Sequence, residues 1–323
     1  MKTGRCISMV ELLASGGTFE MVQACAEGGA DAVYVGALGW SRRRREYEMD
    51  DETIKRSADF LHERGKKIRV AINTLPASDE VDLFRRKMEK FASFPIDDVI
   101  LTDPGLMRIV KEEFPEIKVH ASVGCTIVNL YDALLYKDAG ASQVVTECRM
   151  PLDDIREIRE KVGVGVEVLV HATTCYTFLG RCTMSSYTKF EHSPDETGKK
   201  HFRGSPNRGG LCYRICLTEW EVRQDGGEWE KSVVLPNTAY FIFDDIPALI
   251  EAGVTTLKIQ GREYSPGLVG EMVSLYRRLI DECIERGKGV DIRPYREELE
   301  RIQSRRDAER TEKTRSLIRE ATL

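Results

Sequence analysis

The sequence has no apolar run of the roughly 18 residues that a membrane-spanning helix needs. It also has no basic excess, because 53 aspartates and glutamates outnumber 48 lysines and arginines and the formal net charge is −5. A chain without a global basic excess can bind nucleic acid only through a local basic patch. The N-terminal segment has a short apolar patch that contains Glu11. This patch predicts a strand, no secretory signal and a cytoplasmic protein with reduced thiols.

Three familiar catalytic signatures are also missing. The chain has no His-Glu-x-x-His helix for zinc and no Ser-His-Asp set with a recognisable nucleophile elbow. It has no thioredoxin-like Cys-x-x-Cys motif either. Nine cysteines in 323 residues are too few for a disulfide scaffold. These absences weigh against a serine peptidase, a zinc peptidase and a disulfide oxidoreductase.

What the chain does contain is one repeated pattern, in which short β-branched runs alternate with amphipathic helical stretches that often end in glycine. Strand and helix in alternation predict a parallel sheet with helices outside it. Eight regular units favour a closed α/β fold, a (β/α)8 TIM-like barrel over residues 1–290, rather than a doubly wound open sheet. A densely charged tail, 291–323, predicts a solvated C-terminal helix. The eight predicted strands are 7–13, 32–36, 67–73, 97–103, 118–122, 143–147, 166–172 and 256–261.

One connection, residues 172–255 between the seventh and eighth strands, is far longer than the others. In a barrel the segment after a strand leaves from the catalytic rim, so this insertion is expected over the active face. Within it, Asp225-Gly226-Gly227 predicts the turn of a hairpin. The polar stretch 189–207 contains glycine and proline and predicts a mobile loop.

Four of the nine cysteines lie in this insertion, as Cys175-x6-Cys182 and Cys212-x3-Cys216. Structural zinc usually uses closer pairs, whereas iron–sulfur clusters accept four thiolates at irregular spacings. The spacing therefore favours a metal or cluster site and leaves inert cysteines or a redox disulfide as alternatives. The other five fit the interpretation of inert thiols, although Cys125 and Cys148 follow the fifth and sixth strands and could edge the site. These five are Cys6, Cys25, Cys125, Cys148 and Cys283.

Polar residues at the predicted strand ends are candidates for the active-site rim. His120, His171 and Glu147 are candidates for acid–base catalysis, with structural hydrogen bonding as the alternative for each histidine. Lys258 and Arg262 flank the last strand and could hold a small anion, or could form an ordinary salt bridge. Further candidates of this kind are Arg149, Asn73 and Asp103.

An arginine run, "SRRRREYE" at 41–48, follows the second strand. Such a run is usually a solvated loop that pairs with nearby helices. At the rim of a barrel it could instead steer a small anion or an RNA backbone towards the site.

The stretches "GRCTMSSY", "SPNRGGLC" and "LKIQGREYSPGLVGEMVSLYRRLID" resemble the most specific motifs of the peptidase U32 family, also called collagenase-like proteases. "ELLASGGTFEMVQACAEGGADAVYVG" and "HASVGCTIVN" are similar to its first βαβ unit and fifth-strand motif, so the resemblance covers most of the chain. In length and ending the chain resembles the short members involved in oxygen-independent ubiquinone hydroxylation. The resemblance implies a 4Fe–4S cluster on four cysteines, with prephenate as oxygen donor.

Carried over to this sequence, the resemblance places cluster ligands at Cys175, Cys182 and Cys212, and a Cys-x3-Cys pair adds Cys216 as the fourth. The sequence departs from the family at two positions. Phe241 stands where many relatives have their fourth cysteine, and Gln260 replaces the usual glutamate of the eighth strand.

The first functional hypothesis is therefore a 4Fe–4S enzyme that hydroxylates a small aromatic or isoprenoid-linked substrate without oxygen. RNA-base hydroxylation, as in relatives that modify tRNA or rRNA, is the main alternative. A collagenase-like peptidase is a weaker one. A non-catalytic cluster protein that pairs with a related chain as a heterodimer is a fourth reading, because short family members can pair in this way.

Overall fold

The computed structural model describes residues 10–173, 175, 177–208, 211–235 and 239–322. Cys6 and the start of the first predicted strand lie outside the described residues. The described chain forms thirteen strands: β1 Glu11–Ser15, β2 Ala32–Gly36, β3 Lys67–Ile72, β4 Asp98–Leu101, β5 Lys118–Ala121, β6 Gln143–Val145, β7 Gly165–Thr173, β8 Glu191–Pro194, β9 Lys200–Arg203, β10 Glu219–Val222, β11 Glu230–Val234, β12 Ala239–Phe241 and β13 Thr256–Ile259.

Eight of these strands close into a parallel barrel. β1 to β7 pair in chain order, and β13 lies between β7 and β1. All eight predicted strands are present, so the predicted (β/α)8 barrel is confirmed. The barrel closes because β13 pairs with β1 on one side and with β7 on the other. One face of the sheet is then turned towards the barrel axis and the other towards the surrounding helices.

The helices cover the outer face of the barrel, and several begin at residues that the sequence marks as caps. The side chains of Thr18, Asp50 and Asn129 each accept a hydrogen bond from a backbone N–H in the first turn of a helix. The helices are α1 Phe19–Glu27, α2 Asp51–His62, α3 Val81–Ala92, α4 Pro104–Glu113, α5 Leu130–Ala139, α6 Leu152–Val162, α7 Ile246–Glu251, α8 Pro266–Arg286 and α9 Arg293–Thr322.

Asp103, a candidate rim residue, is one of these caps. Its Oδ1 accepts hydrogen bonds from the N–H groups of Gly105 and Leu106, at 2.7 and 3.1 Å. Its carboxylate therefore stabilises the start of α4.

The insertion after β7 is more ordered than its composition suggests. β10 and β11 form the hairpin predicted at Asp225. The stretch predicted to be a mobile loop, 189–207, instead contains a second hairpin, β8–β9. This hairpin is anchored to the loop after β3, because the buried Lys199 Nζ lies 2.8 Å from Glu80 Oε1. A buried ion pair that joins distant parts of the chain cannot be recognised from the polar composition of either segment.

The C-terminal helix α9 forms as predicted, but it is not simply solvated. Leu299 and Ile302 pack into the main core, and Leu317 packs against Tyr213 of the insertion. Arg306 is fully buried and donates a hydrogen bond to the carbonyl of Ala172 at the end of β7, at 3.0 Å. The helix therefore connects the barrel rim to the insertion. No helix in the described part of the chain is both long and apolar enough to span a membrane.

Candidate functional site

A cavity of about 170 Å³ lies where β7 and β13 end and the insertion begins. It is slightly larger than the engineered cavity of about 150 Å³ that accommodates benzene. Its position at the carboxyl ends of the strands is the usual place for an active site in this fold. The cavity is lined by Arg42, Arg43, Thr173, Cys175, Phe178, Leu179, Gly180, Cys182, Cys212, Arg214, Cys216, Gln260, Gly261, Arg262, Glu263, Tyr264 and Arg310.

All four cysteines of the insertion line this one cavity, although they are far apart in sequence. Cys175 leaves the end of β7, and Cys182 precedes a short 3-10 turn. The Cys212 sulfur accepts a hydrogen bond from the Ser185 hydroxyl at 3.7 Å, and that hydroxyl oxygen accepts one from the N–H of Tyr213. The two halves of the insertion are thus joined beside the thiols.

The environment of Cys175 opposes ionisation of its thiol. Burial, followed by repulsion from Cys212, Cys216 and Cys182, raises the pKa of Cys175 to about 12. A thiol in this environment becomes a thiolate only when positive charge is supplied nearby, as a metal ion does.

The four thiols of the described chain do not form the compact ligand set that a single metal ion needs. Among the described residues, no three His, Cys, Asp or Glu side chains form a group that could hold one ion. A tetrahedral zinc brings its sulfur ligands within about 4 Å of one another, since each zinc–sulfur bond is about 2.3 Å. A cubane cluster binds each thiolate to a different iron and so accepts a wider arrangement. The four thiols around one cavity fit that second kind of group.

A shell of arginines surrounds the thiols. The lining includes five arginines and a single glutamate, Glu263. Burial opposes ionisation of Glu263, but Arg214 and Arg43 outweigh it and hold the pKa of this carboxyl at about 2. Burial and repulsion by Arg43 lower the pKa of both Arg42 and Arg262 to about 10. The cavity is therefore strongly positive, which suits thiolates and an anionic substrate.

Arg262, predicted to bind a substrate anion, lines this cavity. Its guanidinium donates to the Ser41 hydroxyl at 3.0 Å and lies over the ring of Tyr34. A Cβ atom at Gly36 would come within 1.8 Å of a guanidinium nitrogen of Arg262, so only glycine leaves room for it. Gly36, the last residue of β2, therefore leaves the space that the Arg262 guanidinium occupies.

Lys258 and His120 lie elsewhere, inside the barrel. Lys258 Nζ is 2.6 Å from Glu167 Oε1, and His120 lies between Glu167 and Asp98 at 3.5 and 3.4 Å. Arg69 completes this buried ion network. Lys258 thus forms the ordinary salt bridge that the sequence left open, and neither residue lines the cavity.

His171 also points away from the cavity. The pairing of β7 with β13 shifts between Lys258 and Ile259, which pair with Leu169 and His171. This bulge turns the His171 ring towards the helices, where its Nδ1 lies 3.2 Å from the hydroxyl of Tyr276 in α8. Burial holds the pKa of His171 well below its usual value, so the ring is neutral. A neutral, buried histidine on the outer face is structural.

Glu147 and Arg149 lie together at the edge of the site. The Arg149 guanidinium is 3.3 Å from Glu147 Oε1 and 5.2 Å from the ring centroid of Phe178, a cavity residue. Asn73 lies at the end of β3, where its carbonyl oxygen accepts a hydrogen bond from Thr102. Its Oδ1 is buried without a hydrogen-bond partner among the described residues.

Gln260, which replaces the usual glutamate, lines the cavity, and its Oε1 accepts a hydrogen bond from the N–H of Thr173 at 3.4 Å. It therefore contributes an acceptor without adding negative charge beside the thiols. The side chain of Phe241, the other departure, lies outside the described residues.

Sequence reasoning missed three charged residues of the cavity. Glu263 and Arg214 form an ion pair; Glu263 directly follows Arg262, and Arg214 lies two residues after Cys212. Their closeness in sequence to Arg262 and Cys212 could have identified them as candidate cavity residues. Arg310 comes from α9, and nothing in the charged sequence of that helix distinguishes it.

A model of peptidase family U32 matches residues 17–312. The chain is 27% identical over 304 residues to the tRNA hydroxylation protein P1 of Bacillus subtilis, covering 91% of this chain and 69% of that protein. It is 32% identical over 219 residues to the tRNA hydroxylation protein P of Escherichia coli, covering 68% of this chain and 45% of that protein.

A third relative acts on ribosomal RNA. The chain is 30% identical over 264 residues to the 23S rRNA 5-hydroxycytidine C2501 synthase of Escherichia coli, covering 80% of this chain and 37% of that protein. The chain thus spans less than half the length of two of these three relatives. Among solved structures, the U32 peptidase Mk0906 matches with a TM-score of 0.52 and 15% identity over 79% of this chain and 93% of its own. That match supports the fold.

Proposed function

The chain belongs to peptidase family U32, and from this premise we propose that it is a 4Fe–4S protein that hydroxylates RNA bases without oxygen. The observation that carries the proposal is the convergence of four cysteines and five arginines on one cavity at the barrel rim. The names of the curated relatives support the same reaction class.

Cys175, Cys182, Cys212 and Cys216 would hold the cluster. When bound, such a cluster supplies electron transfer or a Lewis-acidic iron. The surrounding arginines would compensate the charge of the thiolates. Cys25 and Cys283 are buried in α1 and α8 and take no part.

The reaction replaces a C–H bond of the base by C–OH, which oxidises that carbon by two electrons. We propose that an organic hydroxyl donor of the prephenate class supplies the oxygen. Its C–O bond breaks, a C–H bond replaces it, and the two electrons pass to the donor, so the exchange is balanced. Arg262, which lines the cavity, would bind a carboxylate of this donor.

RNA is favoured over the small aromatic or isoprenoid-linked substrate for two reasons. The curated relatives named above act on tRNA or rRNA according to their names. Arg42 and Arg43 of the arginine run reach the cavity, where a phosphate backbone could meet them. A peptidase is not supported, because none of the described lining residues is a histidine or aspartate that could activate a cysteine or Thr173 as a nucleophile.

The test is anaerobic turnover. Protein purified under nitrogen, given prephenate and unmodified transcripts of tRNA or 23S rRNA, should add one oxygen atom to a base, detected by mass spectrometry of nucleosides. Isotopic label should enter from the donor and not from labelled water. The same preparation should not cleave gelatin or casein above background. Proteolysis that survives removal of iron would contradict the proposal.

Arg262→Ala is expected to weaken prephenate binding by roughly 2–4 kcal/mol, because a carboxylate in a partly dry pocket loses a charge-assisted contact. Arg262→Lys should recover only part, since an ammonium cannot offer a planar fork. The measurement is calorimetry under nitrogen with cluster absorbance as control. Ser41→Ala is a control that keeps the guanidinium and removes one hydrogen bond to Arg262 and one to Glu48, each worth about 1 kcal/mol. Unchanged affinity in Arg262→Ala would make this arginine structural.

A further inference from the structure

Phe178 is a large apolar residue left open at the mouth of the cavity. It is 46% exposed, yet it lines the cavity together with Cys175 and Cys182. Burial of an aromatic ring is favourable, so an exposed ring beside a reactive site is a surface that a planar ligand can cover.

The backbone that carries this ring is fixed from two sides. The Thr126 hydroxyl donates to the carbonyl of Leu179 at 2.9 Å, and the Asn207 amide donates to the carbonyl of Gly180 at 2.6 Å. A Cβ atom at Gly180 would lie 2.3 Å from the carbonyl oxygen of Gly124, so the chain passes very close to the turn after β5. The position of Phe178 is therefore set before any ligand arrives, which lowers the entropy lost on binding.

Arg149 places a cation beside the same ring. Its guanidinium carbon lies 5.2 Å from the ring centroid of Phe178. Glu147 holds Arg149 in this place, because one carboxylate oxygen accepts from the guanidinium and the other accepts from the backbone N–H at 2.6 Å. Ring and guanidinium together offer stacking and a positive charge, the two features that single-stranded nucleic acids require.

We propose that Phe178 is the stacking surface for an unpaired RNA base at the mouth of the cavity, with Arg149 beside the ring to meet the adjoining phosphate. This assignment rests on the proposed RNA function and names the residue that receives the base. Stacking on one aromatic face tolerates any base, so Phe178 binds the base, and contacts deeper in the cavity select it. The shared chemistry is a planar ring, and the experiment separates an RNA base from a small aromatic compound.

The test measures binding of a fluorescein-labelled, unmodified tRNA transcript to anaerobic, iron-loaded protein. Phe178→Ala should weaken binding between about fivefold and about 150-fold, the range of a single base–aromatic stack. Phe178→Trp should bind as tightly as the unmodified chain, because the larger ring still stacks. Tyr187→Ala is the matched control, since Tyr187 is 87% exposed in the same insertion and does not line the cavity. It should leave the affinity unchanged, and cluster absorbance should be equal in all variants.

The outcomes separate this inference from the proposed function. If the unmodified chain binds and hydroxylates RNA but Phe178→Ala binds it equally well, the stacking surface is wrong and the RNA function stands. If the unmodified chain neither binds nor hydroxylates RNA, the RNA function fails, and phenol is titrated into the same variants. Weaker phenol binding by Phe178→Ala would then support a stacking surface for a small aromatic substrate. If Phe178→Ala and the unmodified chain bind phenol equally well, Phe178 is a stacking surface neither for an RNA base nor for a small aromatic compound.

Discussion

Replacing Cys175, Cys182, Cys212 or Cys216 with serine, one at a time, is expected to remove the iron and abolish hydroxylation. Anaerobically purified wild-type protein should be brown and carry about four irons per chain, as one four-thiolate cubane requires. A serine hydroxyl is a poor substitute, because it remains protonated near neutral pH where a thiolate forms beside iron. Iron and sulfide analysis with visible absorbance measures the loss.

Two other cysteines provide matched controls. Cys25 and Cys283 are buried in helices on the outer face of the barrel, and Cys25→Ser and Cys283→Ser should keep the full iron content. Full loading of Cys216→Ser would contradict the choice of fourth ligand. Colourless wild-type protein with stoichiometric zinc would contradict the cluster itself.

The barrel could be predicted from sequence because its signals are local. Each strand is a short β-branched run, and capping residues such as Asn129 mark where helices begin. The β8–β9 hairpin could not be predicted, because its stability depends on the pairing of Lys199 with the distant Glu80. Composition alone describes that stretch as a loop.

The site could be predicted in part. The cysteines and Arg262 were chosen as candidates because each lies in a motif with several charged or reactive residues close to a strand end. His171 was placed on the rim by its position in the strand, but a single bulge in β7 turns it to the opposite face. Arg310 reaches the cavity because α9 packs against the rest of the chain, and the residue pattern of α9 does not predict this packing. Structure prediction from this sequence therefore fails where the strand register shifts by one residue and where segments distant in sequence pack together.

The salt-bridge partner of Lys258 could not be predicted from the sequence either, and the loss of this salt bridge is expected to have a large effect on the stability of the fold. Its partner Glu167 is fully buried, and Lys258, His120 and Arg69 outweigh the effect of burial and hold the pKa of Glu167 far below its usual value. Lys258→Met should destabilise the protein by about 3–5 kcal/mol, because a buried carboxylate loses its nearest cation. For a chain of this size the thermal midpoint should fall by roughly 6–10 °C. Lys161→Met is the control, since its pair with Glu157 is exposed and its loss should leave the thermal midpoint almost unchanged.

The pH dependence separates this role from substrate binding. Because the folded-state pKa of Glu167 is depressed, the ion pair stabilises the wild-type fold above the unfolded pKa of about 4.3, and this contribution is lost as the pH falls below it. Lys258→Met lacks the contribution at every pH, so the gap in thermal midpoint should be widest near pH 7 and should narrow below about pH 4. The double variant Glu167→Leu, Lys258→Met should regain part of the loss, since it leaves no unpaired charge. If Lys258→Met leaves the thermal midpoint unchanged but weakens prephenate binding, the structural role is wrong and Lys258 binds the substrate.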